Sequence, residues 1–520
     1  MCSVTATVHS ASLTGTTGHP VVVEVHISGG LPGFAIVGLP DAAVREARDR
    51  VRAALLSSGL PWPNQRVTVN LAPSSIRKAG SGLDLAIAVG VLVACGSLAA
   101  DAVADLAFVG ELGLDGSCRH VPGTIALAAA VDAPRLVVPA CDTAEAAAIR
   151  TGATVGVATL RSLVECARGV RPWPVAAVPR ARSADPHAAP GAGRHPSRGD
   201  LADVKGQRVG RRAVEVAAAG GHHLLLVGPP GSGKTMLAER LAGLLPPLSR
   251  AQALEVSRVH SAAGIALPDG GLLWDPPIRA PHHGASSVSL VGGGTSWMRP
   301  GEISLATHGV LFLDEMGEFP VTVLDALRQP LEEGVVRVSR ARGSVELPAR
   351  FLLVAAMNPC PCGDGGPPGA CRCTPAARAR YVRRLSGPLL DRFDLVVPLR
   401  RPDADELLDA APGEATAAVA ARVAAARRRA GRRDVRCNAE LPSSRLAGAA
   451  LLTPRAASLV EHHVRAGRLS ARGLDRVRRV ARTISDLAGT EGPVEEEHVA
   501  EALALRAGRE ILDVVGMPGR

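Results

Sequence analysis

The chain has 520 residues, of which 47% are hydrophobic and 21% charged, so it is long enough to form two or three hydrophobic cores. Aromatic residues make up only 2%, which argues against a surface that binds nucleic acid by stacking bases on aromatic rings. The net charge of +10 is uneven, because residues 1–170 are nearly balanced whereas residues 336–400 carry 11 arginines against 4 acidic side chains. Such a segment is typical of a solvated surface or of a site for a polyanion.

The sequence predicts no export signal and no membrane segment. The first thirty residues lack the basic-then-apolar order of a signal peptide. The longest apolar run, Leu85 to Ala100, has 16 residues, against roughly 20 for a bilayer span. The ten cysteines are scattered apart from one cluster, which suits a reducing cytoplasm, so we expect a cytoplasmic protein.

Residues 1–170 predict a first domain of mixed helix and strand. Residues 3–39 alternate apolar and polar positions between Gly-Pro turns, as strands do. Asp41 to Ser57 changes to helical spacing, with Asp41 as a plausible N-cap. Residues 171–199 hold six prolines and no periodic pattern, so we expect a flexible linker there.

Residues 200–400 predict a parallel sheet with helices on both faces. Apolar strands are expected at Leu224–Val227, Val310–Leu313 and Phe351–Ala356, each with polar residues at its carboxyl end. A helix from Thr235 to Leu245 follows the first strand. The remaining residues, 401–520, are rich in Ala, Leu and Arg with helical periodicity, and predict a helical lid.

A glycine-rich loop between the first of these strands and its helix predicts an ATP site. Backbone N–H groups of such a loop, with the following helix N-terminus, cradle phosphate oxygens. Lys234 would reach the terminal phosphates and Thr235 would hold Mg²⁺. Lys234 is one of three lysines beside 56 arginines, which indicates a specific role. The candidate nucleotide-binding residues of the loop are Gly228, Pro229, Pro230, Gly231, Ser232, Gly233, Lys234 and Thr235.

The ends of the next two strands predict the catalytic complement. Asp314 would hold Mg²⁺ through water, and Glu315 would polarise the attacking water. Asn358 would orient that water or sense the γ-phosphate. Glu315, Lys234 and Asn358 are therefore candidate catalytic residues.

Several long strings give the chain a resemblance to one family over nearly its full length. They include Gly-Leu-Pro-Gly-Phe-Ala-Ile-Val-Gly-Leu-Pro-Asp at 30–41, Arg-Ala-Pro-His-His at 279–283 and Leu-Ser-Gly-Pro-Leu-Leu-Asp-Arg-Phe-Asp at 385–394. The chain resembles the ComM/YifB proteins, the magnesium chelatase-like branch of the AAA+ ATPases. The resemblance implies a Lon-protease-like α+β domain (ribosomal S5 domain 2-like) at 1–170, an AAA+ P-loop core at 200–400 and a C-terminal helical lid at 401–520.

The resemblance also implies a homo-hexameric ring with ATP between subunits. Arg392 matches the family's arginine finger, which a neighbour supplies in trans and which is worth on the order of 10³-fold or more in rate. Arg472 matches the second nucleotide sensor, with Arg476 as the competing residue. Lys78 and Ser81 lie near the position of a Lon catalytic pair, but the Lon nucleophile string is absent, and Gly80-Ser81-Gly82 is read as a turn before a helix.

Two further segments carry candidate ligands. The pattern from Val335 to Leu347 predicts a hairpin with a basic tip. In related rings such a hairpin lines the pore and contacts DNA, so Arg337, Arg340 and Arg342 are candidate DNA-binding residues. The alternative is a solvated hairpin. Four cysteines on one loop could bind structural Zn²⁺ tetrahedrally, or be free or redox-active thiols. They are Cys360, Cys362, Cys371 and Cys373. His282 and His283 are interpreted as structural or pore-facing.

The leading hypothesis is an ATP hydrolase that moves along DNA, with helicase or branch-migration activity in recombination or natural transformation. The first alternative is a chelatase-type ATPase subunit that remodels a protein partner. The second is a nucleotide-gated scaffold without turnover, which the Asp314-Glu315 pair disfavours.

Overall fold

The computed structural model describes residues 4–174, 199–294, 298–340, 343–363, 371–385, 387–408 and 413–507. The predicted linker at 171–199 lies almost wholly outside these ranges, so it stays a prediction. The elements of the N-terminal part are, in chain order, β1 (Val4–Thr14), β2 (Thr17–Ser28), β3 (Gly33–Val37), α1 (Ala42–Ser57), β4 (Arg66–Ala72), α2 (Asp84–Ala94), β5 (Leu106–Phe108), β6 (Glu111–Leu112), β7 (Cys118–Arg119), α3 (Thr124–Ala130), β8 (Arg135–Pro139), α4 (Thr143–Ile149), β9 (Thr154–Val157) and α5 (Leu160–Ala167).

The N-terminal part is built on a mixed sheet with the strand order β3-β4-β2-β1-β5-β8-β9. β2 is antiparallel to β1 and β4, whereas the outer strands on both sides pair in parallel. The strands predicted over 3–39 are confirmed, as is the N-cap of α1, where Asp41 Oδ1 accepts a hydrogen bond from Val44 N at 2.8 Å. The apolar run from Leu85 forms α2, which is buried along its whole length in the domain core.

Ser81 and Lys78 are directed to different partners. The Ser81 hydroxyl donates to the Glu111 carboxylate, and the buried Lys78 ammonium donates to the Pro73 carbonyl. Gly80 to Gly82 forms the predicted turn before α2.

The central part contains α6 (Arg208–Gly220), β10 (Leu224–Val227), α7 (Lys234–Leu241), α8 (Arg250–Ala262), β11 (Ile278–Arg279), α9 (Ser287–Val291), β12 (Gly292–Gly293), β13 (Arg299–Pro300), α10 (Glu302–Leu305), β14 (Val310–Leu313), α11 (Val321–Asp325), α12 (Arg328–Glu333), β15 (Val335–Arg340), β16 (Gly343–Pro348), β17 (Leu352–Met357), α13 (Pro375–Arg383), α14 (Gly387–Leu390), β18 (Leu395–Pro398) and α15 (Ala404–Leu408). The strands predicted at 224–227 and 310–313 are confirmed to the residue. The third begins and ends one residue later than expected, and α7 ends at Leu241 in a 3₁₀ turn rather than continuing to Leu245.

The central sheet is parallel throughout, with the order β11-β14-β17-β10-β18. The inner strands β14, β17 and β10 are apolar at every position because both faces of the sheet are covered, and successive side chains enter opposite cores. Leu224 and Leu226 of β10 lie in one core, and Leu225 and Val227 lie in the other. The predicted α/β architecture with helices on both faces is confirmed.

The C-terminal helices share the first of these two cores with the sheet. They are α16 (Thr416–Gly431), α17 (Ser443–Ala449), α18 (Pro454–Arg465), α19 (Ala471–Ala488) and α20 (Glu496–Ala504). Val423 of α16 and Val480 of α19 are fully buried in the cluster that contains Leu224 and Leu226. The helical character predicted for this region is confirmed, whereas the domain boundary at residue 400 stays a prediction because no break in the core marks it.

The N-terminal part contacts the central part through α3 and α4, which lie against α8. The Ser261 hydroxyl of α8 donates to the Glu145 carboxylate at 2.6 Å, and the backbone carbonyl of Ser261 accepts a hydrogen bond from Gly123 N at 2.9 Å. Ile125, Ala148 and Leu272 form a small buried cluster between them. The side-chain hydroxyl and the backbone carbonyl of Ser261 therefore both join the two parts.

Across the described ranges, none of the helices combines the length and the apolar character needed to span a bilayer.

Candidate nucleotide-binding site

The predicted phosphate loop lies at the carboxyl edge of the central sheet. β10 ends at Val227, which is in register with Met357 of β17, and Leu313 of β14 is in register with Ala355. The loop after β10 and the polar residues after β14 and β17 therefore emerge side by side. This is the edge at which open parallel sheets bind ligands.

The loop backbone has the conformation that a phosphate cradle requires. Gly231 and Gly233 both have φ of +79°, in the left-handed region that glycine adopts without strain. A Cβ at Gly228 would lie 2.7 Å from the Leu399 carbonyl oxygen, so only glycine fits there. The buried Ser232 hydroxyl finds no hydrogen-bond partner among the described residues. A cradle with an unsatisfied polar group fits a polar ligand such as a nucleotide phosphate.

Lys234 turns its ammonium back onto the loop. Its Nζ donates to the carbonyls of Gly228 at 2.7 Å and Pro229 at 2.9 Å, and to Asn358 Oδ1 at 3.2 Å. Burial lowers the pKa of Lys234, and the carboxylates of Asp314 and Glu315 partly offset that effect. The charge is thus held inside the cradle, where the terminal phosphates of ATP would lie.

The two predicted Mg²⁺ ligands are in direct contact. Thr235 Oγ1 donates to Asp314 Oδ2 at 2.9 Å, and the other oxygen of Asp314 accepts from Glu315 N at 2.9 Å. A hydroxyl and a carboxylate oxygen on one side of a phosphate cradle are donors of the type that Mg²⁺ prefers. The set fits a magnesium–nucleotide complex.

Glu315 has an unusual backbone and an unexpected partner. Its φ is +50°, which non-glycine residues adopt rarely and with strain, and such strain concentrates at functional sites. Its carboxylate lies 3.3 Å from His283 Nδ1, and the His283 ring packs edge-on against Phe319. His283, interpreted from sequence as structural or pore-facing, therefore contacts the candidate catalytic base.

The arginines predicted to act on the nucleotide lie at the amino ends of the strands, opposite the phosphate loop. Arg392, Arg472 and Arg476 line one open cavity of about 390 Å³. Its remaining lining residues are His223, Leu331, Glu332, Asp394, Ala439 and Arg479. His223 and Asp394 directly precede β10 and β18, so the cavity lies at the amino ends of the strands. At about 3.3 Å per residue, the five steps from His223 to Gly228 put about 16 Å between the cavity and the phosphate loop.

Arg392 is partly satisfied within its own chain. Its guanidinium forms an ion pair with Glu332, while its buried Nε finds no hydrogen-bond partner among the described residues. Burial lowers the pKa of Arg392, and the nearby charges of Arg476 and Arg472 lower it further. This concentration of positive charge fits an anion arriving from outside the chain. Arg476 also donates to the Phe393 carbonyl at 3.2 Å.

The predicted basic hairpin is present as β15 and β16. The two strands pair from Val335↔Pro348 to Arg340↔Gly343, and Val336 and Leu347 anchor the base in the second core. Arg337 forms ion pairs with Glu333 and Glu346, so its charge is compensated at the base of the hairpin. Arg342 lies outside the described residues, and Arg340 is described only as the last residue of β15.

The four clustered cysteines come together. The candidate metal-binding atoms of Cys360, Cys362, Cys371 and Cys373 all lie within 4.8 Å of one another, and none of these cysteines is in a disulfide. The cluster begins two residues after Asn358.

Sequence reasoning missed several contacts of the site. His283 on Glu315 and Glu332 on Arg392 join residues that are distant in sequence, and Arg401 Nε donates to the Pro230 carbonyl at 3.0 Å. The string at 279–283 marks His283 as part of a distinctive motif. Its partner follows only from the pairing of β11 with β14.

Comparison with known families and proteins agrees with this geometry. Residues 200–407 match the family described as magnesium chelatase, subunit ChlI; residues 23–141 match subunit ChlI of Mg-chelatase; and residues 413–506 match the ChlI C-terminal family.

Three relatives are similar over nearly the whole chain. An uncharacterized protein of Mycobacterium tuberculosis is 45% identical over 96% of this chain and 97% of its own length. YifB of Escherichia coli is 43% identical over 96% of both chains. The competence protein ComM of Haemophilus influenzae is 42% identical over 96% of this chain and 97% of its own.

The family resemblance drawn from the sequence is confirmed by identity of this extent, and the α/β core with its C-terminal helices is that of an AAA+-type ATPase. The chain belongs to the YifB/ComM family of magnesium chelatase-like proteins.

Proposed function

We propose that the chain is an ATP-hydrolysing ring motor that moves along DNA, with helicase or branch-migration activity in recombination or natural transformation. Each nucleotide site is shared by two identical subunits, and the ring contains six of them by resemblance to the family.

The separation of the phosphate loop from the arginine cavity carries the proposal. Lys234 lies at the carboxyl ends of the strands and Arg392 at their amino ends, and the strand between these ends is about 16 Å long. The two side chains therefore cannot act on the same phosphate within one chain. A head-to-tail contact between copies brings one edge to the other, and such heterologous contacts close into rings. Arg392 then acts as the finger on the neighbour's ATP, and Arg472, with Arg476 behind it, supports the same nucleotide.

In the half of the site formed by the phosphate loop and the residues after β14 and β17, the contacts suggest the role of each residue. Lys234 neutralises the terminal phosphates, and Thr235 and Asp314 would hold Mg²⁺, which would neutralise phosphate charge. Glu315 takes the proton of the attacking water. Asn358, which accepts from Lys234 at 3.2 Å, orients that water.

DNA is the proposed track because of the hairpin. Its base is anchored in the core by Val336 and Leu347. Arg340 ends the first strand, and Arg342, which lies outside the described residues, falls by sequence between the two strands. Guanidinium groups on such a tip bind backbone phosphates without reading sequence, as a translocating motor requires. The Haemophilus influenzae relative is a competence protein, and competence is a state of DNA uptake.

A chelatase-type motor that remodels a protein partner is the second candidate, supported by the three ChlI family matches. ATP hydrolysis measured with and without forked or four-way DNA separates the two. We expect DNA to raise the rate severalfold. A rate that forked and four-way DNA leave unchanged would contradict the DNA motor.

Replacing both tip arginines tests the hairpin directly. Arg340→Ala with Arg342→Ala should weaken DNA binding and reduce the slope of log affinity against log salt by about 1 to 2, because each lost phosphate contact removes about 0.9 from the slope. The measurement is a salt titration of binding to fluorescent DNA. Arg465→Ala with Arg468→Ala, which removes two exposed arginines elsewhere, is the matched control. Equal behaviour of the two double variants would remove the hairpin from the DNA path.

A further inference from the structure

The four-cysteine cluster has the spacing of a metal site. Cys360 Sγ lies 3.3 Å from Cys362 Sγ and 3.5 Å from Cys371 Sγ, and Cys362 Sγ lies 3.4 Å from Cys371 Sγ. Four sulfurs bound to one Zn²⁺ at about 2.3 Å are about 3.8 Å apart, whereas a disulfide requires about 2.05 Å. With Cys373 in the same cluster, a small shift of each side chain would place one tetrahedral ion between them.

The Cys371 sulfur has polar neighbours outside the set of four thiols. Cys373 N donates to Cys371 Sγ at 3.4 Å, and the positively charged Arg378 side chain lies close to the same cysteine. Hydrogen bonds from outside the ligand shell fix the orientation of metal-bound groups and stabilise their negative charge. The cluster thus has both a ligand set and the outer contacts of a zinc site.

The cysteine loop contacts the phosphate loop on one side. Gly363 follows Cys362 with φ of +85°, and a Cβ there would lie 2.8 Å from Pro230 Cδ. The absent side chain lets the backbone lie directly against the phosphate loop. Cys360 is two residues after Asn358, whose Oδ1 accepts from Lys234 Nζ.

Past its last cysteine, the same segment contacts the acidic edge of the site. α13 begins at Pro375 and carries Tyr381, whose ring is buried. A Cβ at Gly317 would lie 2.3 Å from Tyr381 Oη, so the hydroxyl end of the ring packs against the turn after Glu315. Tyr381 also interacts with the backbone of Asn358.

The segment from Asn358 to Tyr381 therefore contacts the phosphate loop, the candidate sensor and the turn after the candidate base, with the four sulfurs at its centre. We propose that Cys360, Cys362, Cys371 and Cys373 bind one Zn²⁺, and that this zinc site braces the nucleotide site. A metal bound by all four cysteines ties residues 360–363 to residues 371–373, so the contacts of Gly363 and Tyr381 are held in place before nucleotide arrives. The bracing rests on the proposed nucleotide site but is independent of DNA.

The test begins with metal content of the purified full chain. We expect about one zinc per chain, as the four-ligand site requires. Cys371→Ser with Cys373→Ser should lose the zinc, weaken ATP binding and lower ATP hydrolysis by up to about a hundredfold, because a misplacement of about 1 Å in such a site can have an effect of that size on the rate. Cys141→Ser, which removes an exposed cysteine of the N-terminal part, should leave all three unchanged.

Gly363→Ala separates bracing from folding. It keeps all four thiols, so zinc should be retained, but its Cβ displaces the loop from Pro230, so nucleotide affinity should fall. Binding is measured with a fluorescent ATP analogue in the absence of DNA, and thermal unfolding monitors the fold. A metal-free wild-type chain would overturn the zinc site. Zinc loss with unchanged nucleotide affinity and hydrolysis would overturn the bracing. Neither result depends on DNA stimulation, so a failure of the DNA motor is distinguishable.

Discussion

Glu315 combines the features expected of a general base at the site: a left-handed backbone, exposure to solvent and a histidine at 3.3 Å. The Asp314 carboxylate accepts a hydrogen bond from the Glu315 N–H, which helps to stabilise this strained conformation.

Substitution of this carboxylate separates hydrolysis from binding. Glu315→Gln should reduce hydrolysis by about 10²–10⁴-fold, because the amide cannot accept the proton of water, while ATP affinity changes little. Phosphate release and binding of a fluorescent nucleotide measure the two effects. Glu318→Gln, on the same 3₁₀ turn, is the control. Turnover that survived in Glu315→Gln would assign the base to another residue.

At the residue scale the sequence predicted what a local pattern can encode. Lys234, Thr235 and Asp314 follow from short motifs beside apolar strands. The structure brings Thr235 into contact with Asp314 and turns Lys234 onto the Gly228 carbonyl. The contact between His283 and Glu315 was not predictable, because it depends on which strands are neighbours in the sheet. Hydrophobic periodicity specifies that a strand is buried, but not its position in the strand order.

Among the elements, the hairpin β15–β16 is attached to the second core of the central sheet by one face of its two strands. Val338 and Val345 pair across the strands, and the turn between β1 and β2 lies against Val345 at Gly15. The element is therefore held by both the central and the N-terminal part of the chain. Its boundaries were predictable from alternation, whereas its support by Gly15 was not, since that contact spans most of the sequence.

The base of the hairpin should be a folding determinant and its tip should not. Leu347 is 1% exposed, so Leu347→Ala should lower the free energy of unfolding by about 2–5 kcal/mol. Chemical denaturation of the variant checks this. The double variant at Arg340 and Arg342 serves as the comparison and should unfold like the wild type. A stable Leu347→Ala chain would show that the hairpin is not anchored as described.

On the scale of the whole molecule, the proposed division of the nucleotide site between two copies would make ATP hydrolysis a property of the assembly. The sequence does not reveal that the phosphate loop and the arginine cavity lie apart. Their separation follows from the parallel pairing of β10 and β18, because the loop follows one strand and Arg392 precedes the other. The family resemblance supplied the expectation of a shared site, and the strand order supplies a physical reason for it.

Mixing two inactive variants tests the division. Lys234→Ala should lose ATP binding. Arg392→Ala should retain ATP binding but hydrolyse ATP about 10³-fold or more slowly. An equimolar mixture, allowed to exchange subunits, should regain activity at about a quarter of the interfaces, where an intact loop meets an intact finger. Size-exclusion chromatography confirms that both variants assemble. A mixture as inactive as its components would place the finger elsewhere.

The scarcity of lysine opens the nucleotide site to covalent labelling. Acylating reagents modify amines and spare guanidinium groups, so 56 arginines are invisible to them. Of the three lysine side chains, that of Lys78 is buried and that of Lys205 is exposed. The third, Lys234, lies where bound nucleotide would shield it. Acylation of lysine side chains is thereby reduced to one reference position and one reporter of site occupancy, a simplicity that a lysine-rich protein does not offer.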